Sequence, residues 1–172
     1  MVFQHFDLLP FMTVLENVAY PAELLGKSQQ ATQAEAVRPL SLVGLGTTYH
    51  DRMPRQLSGG EQQRVAIARA LCSGAQIILA DEPTSSLDEV NSRNIALLLQ
   101  ELARKHGRTV IIVTHDGAMA TFADVQLHMH AGQLRETTIT LRRPHRLSLG
   151  HPIGARSIPV GTRLYMRSGL PD

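Results

Sequence analysis

Cysteine is almost absent. Cys72 stands alone in 172 residues, so no internal disulfide can form and a cysteine-based zinc site lacks its ligands. That usage fits a reducing, cytosolic compartment, and a small apolar residue in a helix is the plain reading of Cys72. Long apolar runs are lacking as well: no stretch approaches the roughly 18 uninterrupted apolar residues of a membrane-spanning helix. The first residues do not show the basic-then-apolar pattern of a secretory signal. Aromatic residues are scarce, and after Glu136 only Tyr165 remains, so no base-stacking platform for nucleic acid is visible there. Finally, the sequence holds no G-x-x-x-x-G-K-[ST], the pattern whose glycines let backbone N–H groups wrap phosphates while the lysine reaches the outer oxygens. Its one Gly-Lys-Ser, Gly26-Lys27-Ser28, has Pro21 where the first glycine should stand. Proline lacks an N–H, and no apolar strand leads into this tripeptide, which reads as a loop after a helix.

The formal net charge of +2 conceals an asymmetry. Residues 1–136 carry eleven Lys or Arg against fourteen Asp or Glu, whereas residues 137–172 carry six Arg against Asp172 alone. The basic character therefore belongs to the tail, where Pro144, Pro152, Pro159 and Pro171 recur with several glycines. Little regular structure is expected from Arg142 onward. The expected organisation is a core over 1–136 and a basic, Pro- and Arg-rich, irregular tail over 137–172.

Within the core, Ile77-Ile78-Leu79-Ala80 and Val110-Ile111-Ile112-Val113 are apolar without alternation, as in parallel strands covered on both faces. Between them Ile95, Leu98, Leu99 and Leu102 repeat at helical spacing, and Gly107 follows, which predicts a helix from about Glu89 to Lys105 and a βαβ unit. Ser58 and Glu61 stand three apart ahead of Val65, Ile67, Ala68 and Leu71, a capping box opening an amphipathic helix. A short helix over Met12–Tyr20 and a second over Gln29–Val43 are expected, the latter kinked or split by Pro39. Leu127 and Met129 alternating with His128 and His130 suggest a half-exposed strand.

Both apolar strands end in polar residues: Asp81-Glu82 after the first and Thr114-His115-Asp116 after the second. In open parallel sheets, ligands bind at that carboxyl edge. An adjacent acidic pair suits a magnesium–nucleotide site, because Mg²⁺ takes one or two carboxylates and completes its shell with water and phosphate oxygens. The second carboxylate can then orient or deprotonate an attacking water. A helix cap or turn is the competing reading of the pair taken alone. The turn at Ser58-Gly59-Gly60 starts a helix, so it presents unpaired N–H groups and a positive dipole end to an anion.

Taken together the segments are specific. Leu57-Ser58-Gly59-Gly60-Glu61-Gln62-Gln63-Arg64-Val65-Ala66-Ile67-Ala68-Arg69-Ala70-Leu71 resembles the signature motif of ATP-binding-cassette (ABC) proteins, and Ile77 to Pro83 their Walker B strand. Thr84-Ser85-Ser86-Leu87-Asp88 resembles the D-loop, Val113-Thr114-His115-Asp116 the switch-histidine loop, and Val2-Phe3-Gln4 with Leu8-Leu9-Pro10 the Q-loop. Met12 to Val18, with Pro21, is similar to the branch that includes lipoprotein-release, macrolide-export and cell-division ATPases.

The resemblance, which covers residues 1–136, implies an α/β P-loop NTPase-like core: a parallel sheet plus a helical signature subdomain, incomplete at the N-terminus because the phosphate-binding loop should fall before Met1. It implies ATP and Mg²⁺ as cofactors, with Glu82 positioning the hydrolytic water, His115 contacting the γ-phosphate, Asp81 holding Mg²⁺ through water and Gln4 sensing that ion. Ser58, Gly59 and Gly60 would meet ATP held by a second ATPase subunit in a head-to-tail dimer, with Asp88 at the seam. A membrane permease is the implied partner, on the cytoplasmic face of the membrane. The implied function is the ATPase subunit of a transporter, inactive alone. One alternative is a non-catalytic partner that lends its signature to a complete subunit; another is a non-transport relative acting on DNA or ribosomes. The family places the strand leading to its phosphate loop between those matching Val110–Val113 and Val125–Met129. Those two strands should here have unpaired edges or pair abnormally.

Overall fold

The computed structural model describes residues 1–130, 133–139 and 163–168. Five helices and five strands arise in the order α1 (Val14–Glu23), α2 (Gln29–Leu42), α3 (Gly59–Cys72), β1 (Ile77–Asp81), α4 (Glu89–Lys105), β2 (Thr109–Val113), α5 (Gly117–Ala120), β3 (Val125–His130), β4 (Gln133–Ile139) and β5 (Arg163–Ser168).

Local signals start the helices. Thr13 caps α1 in a capping box: its hydroxyl accepts from the Glu16 N–H, and the Glu16 carboxylate accepts from the Thr13 N–H at 2.8 Å. Ser58 and Glu61 do the same for α3, as the sequence predicts, with the Ser58 N–H donating to Glu61 Oε2 at 2.7 Å. Pro39 does not split α2, one of the two expected outcomes; the helix runs unbroken from Gln29 to Leu42. Proline removes only its own N–H bond, and here it sits in the last turn with its ring and Leu40 buried in the core.

Asn17 shows how the chain ahead of α1 is fixed. It is wholly buried, its Oδ1 accepts from the Leu9 N–H at 2.8 Å, and its Nδ2 reaches the carbonyls of Leu9, Met12 and Thr13 at 3.0–3.1 Å. Asn17→Ala leaves these buried groups unpaired. It should cost about 2–4 kcal/mol of stability in urea titration, with a lowered midpoint and unchanged slope.

The sheet order is β1-β2-β5-β3-β4, with β1, β2, β5 and β3 parallel and β4 antiparallel to β3. At the outer edge of β1, Val2 forms an isolated parallel bridge to Ala80. The core lies on one face, where Ile78, Ala80, Val110 and Ile112 meet apolar residues of α3 and α4 such as Ile67, Ile95, Leu99 and Leu102. The opposite face of β1 is not covered: Ile77 is 56% and Leu79 44% exposed. For β1 this corrects the expectation of burial on both sides, whereas β2 is half-buried on that face; a continuous apolar run records the residue types, not what packs on them.

β5 is a second correction. It lies in the tail expected to be irregular, yet it is the central strand, pairing Tyr165 with Ile112 of β2 on one side and with Gln126 of β3 on the other. The two strands expected to lack a neighbour are thus bridged by an element from the far end of the chain. Open strand edges carry backbone groups that demand partners, and Leu164-Tyr165-Met166 supplies a short apolar segment that meets them. β4, through Ile139, also runs past the expected boundary at 136.

Candidate functional site

β1 and β2 are adjacent and in register at their carboxyl ends, Asp81 opposite Val113, so the polar residues after each strand emerge side by side. The Glu82 N–H donates to the Val113 carbonyl at 2.8 Å, which prolongs the ladder by one bond. Glu82 then leaves the sheet with φ +45°, a left-handed conformation that costs a non-glycine residue about 1–2 kcal/mol. Such strain persists only where surrounding contacts hold it. Here the holders are specific. Glu82 Oε2 accepts from the Thr114 hydroxyl at 3.0 Å, and Oε1 accepts from the His115 N–H at 2.9 Å. His115 Nδ1 lies 2.8 Å from the same Oε1. The carboxylate is mostly buried and the imidazole mostly exposed, so the pair joins a fixed acceptor to a ring that faces solvent.

Asp81 is exposed at the tip of β1, and its backbone N–H is tied to the Val2 carbonyl at 2.9 Å. That bond and the one from the Val2 N–H to the Leu79 carbonyl pin Val2 to the edge of β1, and the Gln4 carbonyl accepts from the Ser86 hydroxyl at 3.3 Å. Gln4 is thus tied to the Thr84–Asp88 turn, two residues on from the Val2 bridge at the edge of β1. Asp81 offers an exposed carboxylate and Gln4 an exposed side-chain amide, oxygen donors of the kind that magnesium takes, while both Glu82 oxygens are already engaged.

The Ser58-Gly59-Gly60 turn packs against the start of α4. A Cβ on Gly60 would lie 2.7 Å from Asn91 Oδ1, and one on Gly59 3.2 Å from Leu87 Cδ2. Gly60 therefore has a packing reason to be glycine besides any ligand approach. Asp88 caps α4, its Oδ1 accepting from the Asn91 N–H at 2.9 Å and its Oδ2 from the Asn91 amide at 2.6 Å; these bonds hold its carboxyl below the usual range. Glu61 is shifted the same way, chiefly by the Ser58 N–H.

Two groups of residues result. Glu82, Thr114 and His115 form one cluster, with Asp81 next to Glu82 in the chain and Gln4 tied to the turn that follows. Ser58, Gly59, Gly60 and Asp88 form the other, and among the described residues no hydrogen bond joins the Ser58 turn to Asp81, Glu82 or His115. The part played by Thr114 on the carboxylate, by Asn91 between Gly60 and Asp88, and by Arg69 on the 6–7 segment was not legible from the motifs. Each contact spans residues distant in sequence or depends on a rotamer.

The family of ABC transporters matches residues 1–85. The macrolide export ATP-binding/permease protein MacB of Marinobacter nauticus is 47% identical over 137 residues, covering 80% of this chain and 21% of that protein. The lipoprotein-releasing system ATP-binding protein LolD of Shewanella denitrificans is 46% identical over 136 residues, 79% of this chain and 58% of its own length. The methionine import ATP-binding protein MetN of Cupriavidus metallidurans, 40% identical over 178 residues, aligns with 99% of the chain, and so with the basic tail, but with 51% of its own length. Among solved structures, the dimeric bacterial cassette MJ0796 bound to ADP and Pi superposes with a TM-score of 0.66 at 39% identity, over 78% of this chain and 61% of that one. The chain spans less than two thirds of the length of each of these relatives. Motif order, parallel sheet and relatives converge: this chain belongs to the ABC transporter ATP-binding family.

Proposed function

We propose that the chain serves as the ATP-binding subunit of a membrane transporter, at the cytoplasmic face of a permease and paired head-to-tail with a second ATPase subunit. The observation that carries this reading is Glu82, held in a strained conformation at the carboxyl edge of the sheet by Thr114 and His115. A carboxylate so fixed can orient and deprotonate a water, and the exposed His115 ring beside it can contact a phosphate oxygen. Asp81 and Gln4 would hold Mg²⁺ through water. That ion, when bound, neutralises charge between the outer phosphates. The open N-terminus of α3 at Ser58, Gly59 and Gly60 suits the γ-phosphate of a nucleotide held by the other subunit, with Asp88 at the seam. Gln4, tied to the Thr84–Asp88 turn through Ser86, would sense the Mg²⁺ site.

A second reading is favoured by one observation: among the described residues no hydrogen bond joins the Ser58 turn to Asp81, Glu82 or His115, so the α3 N-terminus stands apart from the acidic cluster. On that reading the chain completes a site in another subunit by donating Ser58 and Gly60. ATP turnover by the purified chain, alone and mixed with an ATP-competent cassette subunit, separates the two. On the donor reading the chain alone shows no turnover above a Glu82→Gln control. The mixture is expected to exceed the sum of its parts, with Ser58→Arg in this chain removing the excess. Glu82-dependent turnover by the chain alone would reject the donor reading. An excess untouched by Ser58→Arg would reject the role given to α3.

A further inference from the structure

The segment that carries Gln4 contains two adjacent non-glycine residues with positive φ, Phe6 at +60° and Asp7 at +46°. Besides Glu82 they have no equal among the described residues, and each such residue costs about 1–2 kcal/mol. The bond from the Asp7 N–H to the His5 carbonyl, at 2.6 Å, closes the kink on itself but does not attach it to the fold.

Attachment comes from α3. Arg69, three turns beyond Ser58, donates from Nη1 to the Asp7 carbonyl at 2.6 Å and from Nη2 to the Phe6 carbonyl at 3.0 Å. The guanidinium is half-buried, so a desolvated charge is spent on two backbone oxygens, and Asp7 is the nearby acid that favours it. A planar fork with two parallel donors fits two successive carbonyls, which a lysine ammonium cannot match. The far end of the Phe6 ring lies 3.7 Å from where a Cβ on Gly59 would stand, so the same kink reaches the start of α3 as well. Ahead of it, Ser86 holds the Gln4 carbonyl and β1 holds Val2; behind it, Asn17 holds Leu9.

We propose that Arg69 is a positioning residue: its fork holds the Phe6–Asp7 kink in the left-handed region and locks it to α3, so that Gln4 and the Ser58–Gly60 turn are registered on one helix. Its bearing on nucleotide chemistry rests on the function proposed above; the clamp itself does not. Arg69 falls within the signature segment Leu57–Leu71, but the roles that the resemblance implies do not include it.

The test uses the full chain and needs no nucleotide. In Arg69→Gln the Asp7 and Leu9 amides should exchange with solvent at least about tenfold faster, the size of one lost charge-assisted bond. The carbonyl ¹³C resonances of Phe6 and Asp7 should move upfield together, a signature confined to those two groups. Arg69→Lys should restore little of either. Asp7→Gly should offset the loss selectively: in the Asp7→Gly, Arg69→Gln double variant exchange should slow by about fivefold relative to Arg69→Gln alone, because glycine carries no left-handed penalty. Exchange and carbonyl shifts unchanged in Arg69→Gln would overturn the clamp. So would full restoration by lysine, or a double variant that exchanges as fast as Arg69→Gln alone. Failure of the Ser58-dependent turnover described above, with these signatures intact, would count against the transporter reading and leave the clamp standing.

Discussion

Glu82→Gln, in a form of this chain joined to a phosphate-binding loop, is expected to cut ATP turnover by about 10²–10⁴-fold while leaving nucleotide binding and the paired subunit intact. The geometry explains why the change should be selective. A glutamine is isosteric with the carboxylate, its amide oxygen can still accept from the His115 N–H, and its NH₂ can donate to the Thr114 hydroxyl, which rotates to accept. The strained backbone at φ +45° therefore keeps both its anchors. What is lost is the basic oxygen that would take a proton from water. Trapped ATP and a stabilised dimer are the expected products of that loss, read by retention of labelled nucleotide and by size-exclusion chromatography with light scattering. Turnover at the wild-type rate would remove Glu82 from the chemistry. Thr114→Val tests the anchor: it preserves shape but deletes the bond to Glu82, together with the one that the Thr114 hydroxyl accepts from the Asp116 N–H, and should lower turnover less than Glu82→Gln does.

Tyr165→Pro is expected to abolish the cooperative unfolding transition, or to send the chain into aggregates. Tyr165 occupies the middle of a strand paired on both sides, with Ile112 and with Gln126. Proline there removes a ladder donor, and its ring cannot be accommodated inside a central strand. The local cost of about 3 kcal/mol or more is a large share of the net stability of about 5–15 kcal/mol that single domains possess. Loss of β5 would also uncover the apolar edges of β2 and β3, which invites pairing with other chains. Circular dichroism during urea titration, with light scattering alongside, reads both effects. An unchanged midpoint would show that β5 contributes nothing to the sheet.

The local elements were written in the sequence. The helix expected from Glu89 to Lys105 is found with those bounds, because its apolar stripe and the Gly107 that follows it are short-range signals. The Ser58–Glu61 box and the strands at Ile77 and Val110 were equally legible, since capping chemistry and unbroken apolar runs act within a few residues. So was the family, through motifs whose order and spacing do not depend on packing. Three-dimensional proximity settled the rest. That Gly60 lies against Asn91, that Thr114 meets Glu82 and that Arg69 reaches back across more than sixty positions to Phe6 depends on how α3, α4 and β1 stack. Pro39 stayed inside α2 because burial outweighed one missing bond, and Leu79 stayed exposed because apolar character cannot specify its own cover. β5 states the division most clearly: Leu164-Tyr165-Met166 is too short to announce a strand within an Arg- and Pro-rich tail. Only the open edges of two distant strands, with backbone groups in need of partners, decide that it becomes one.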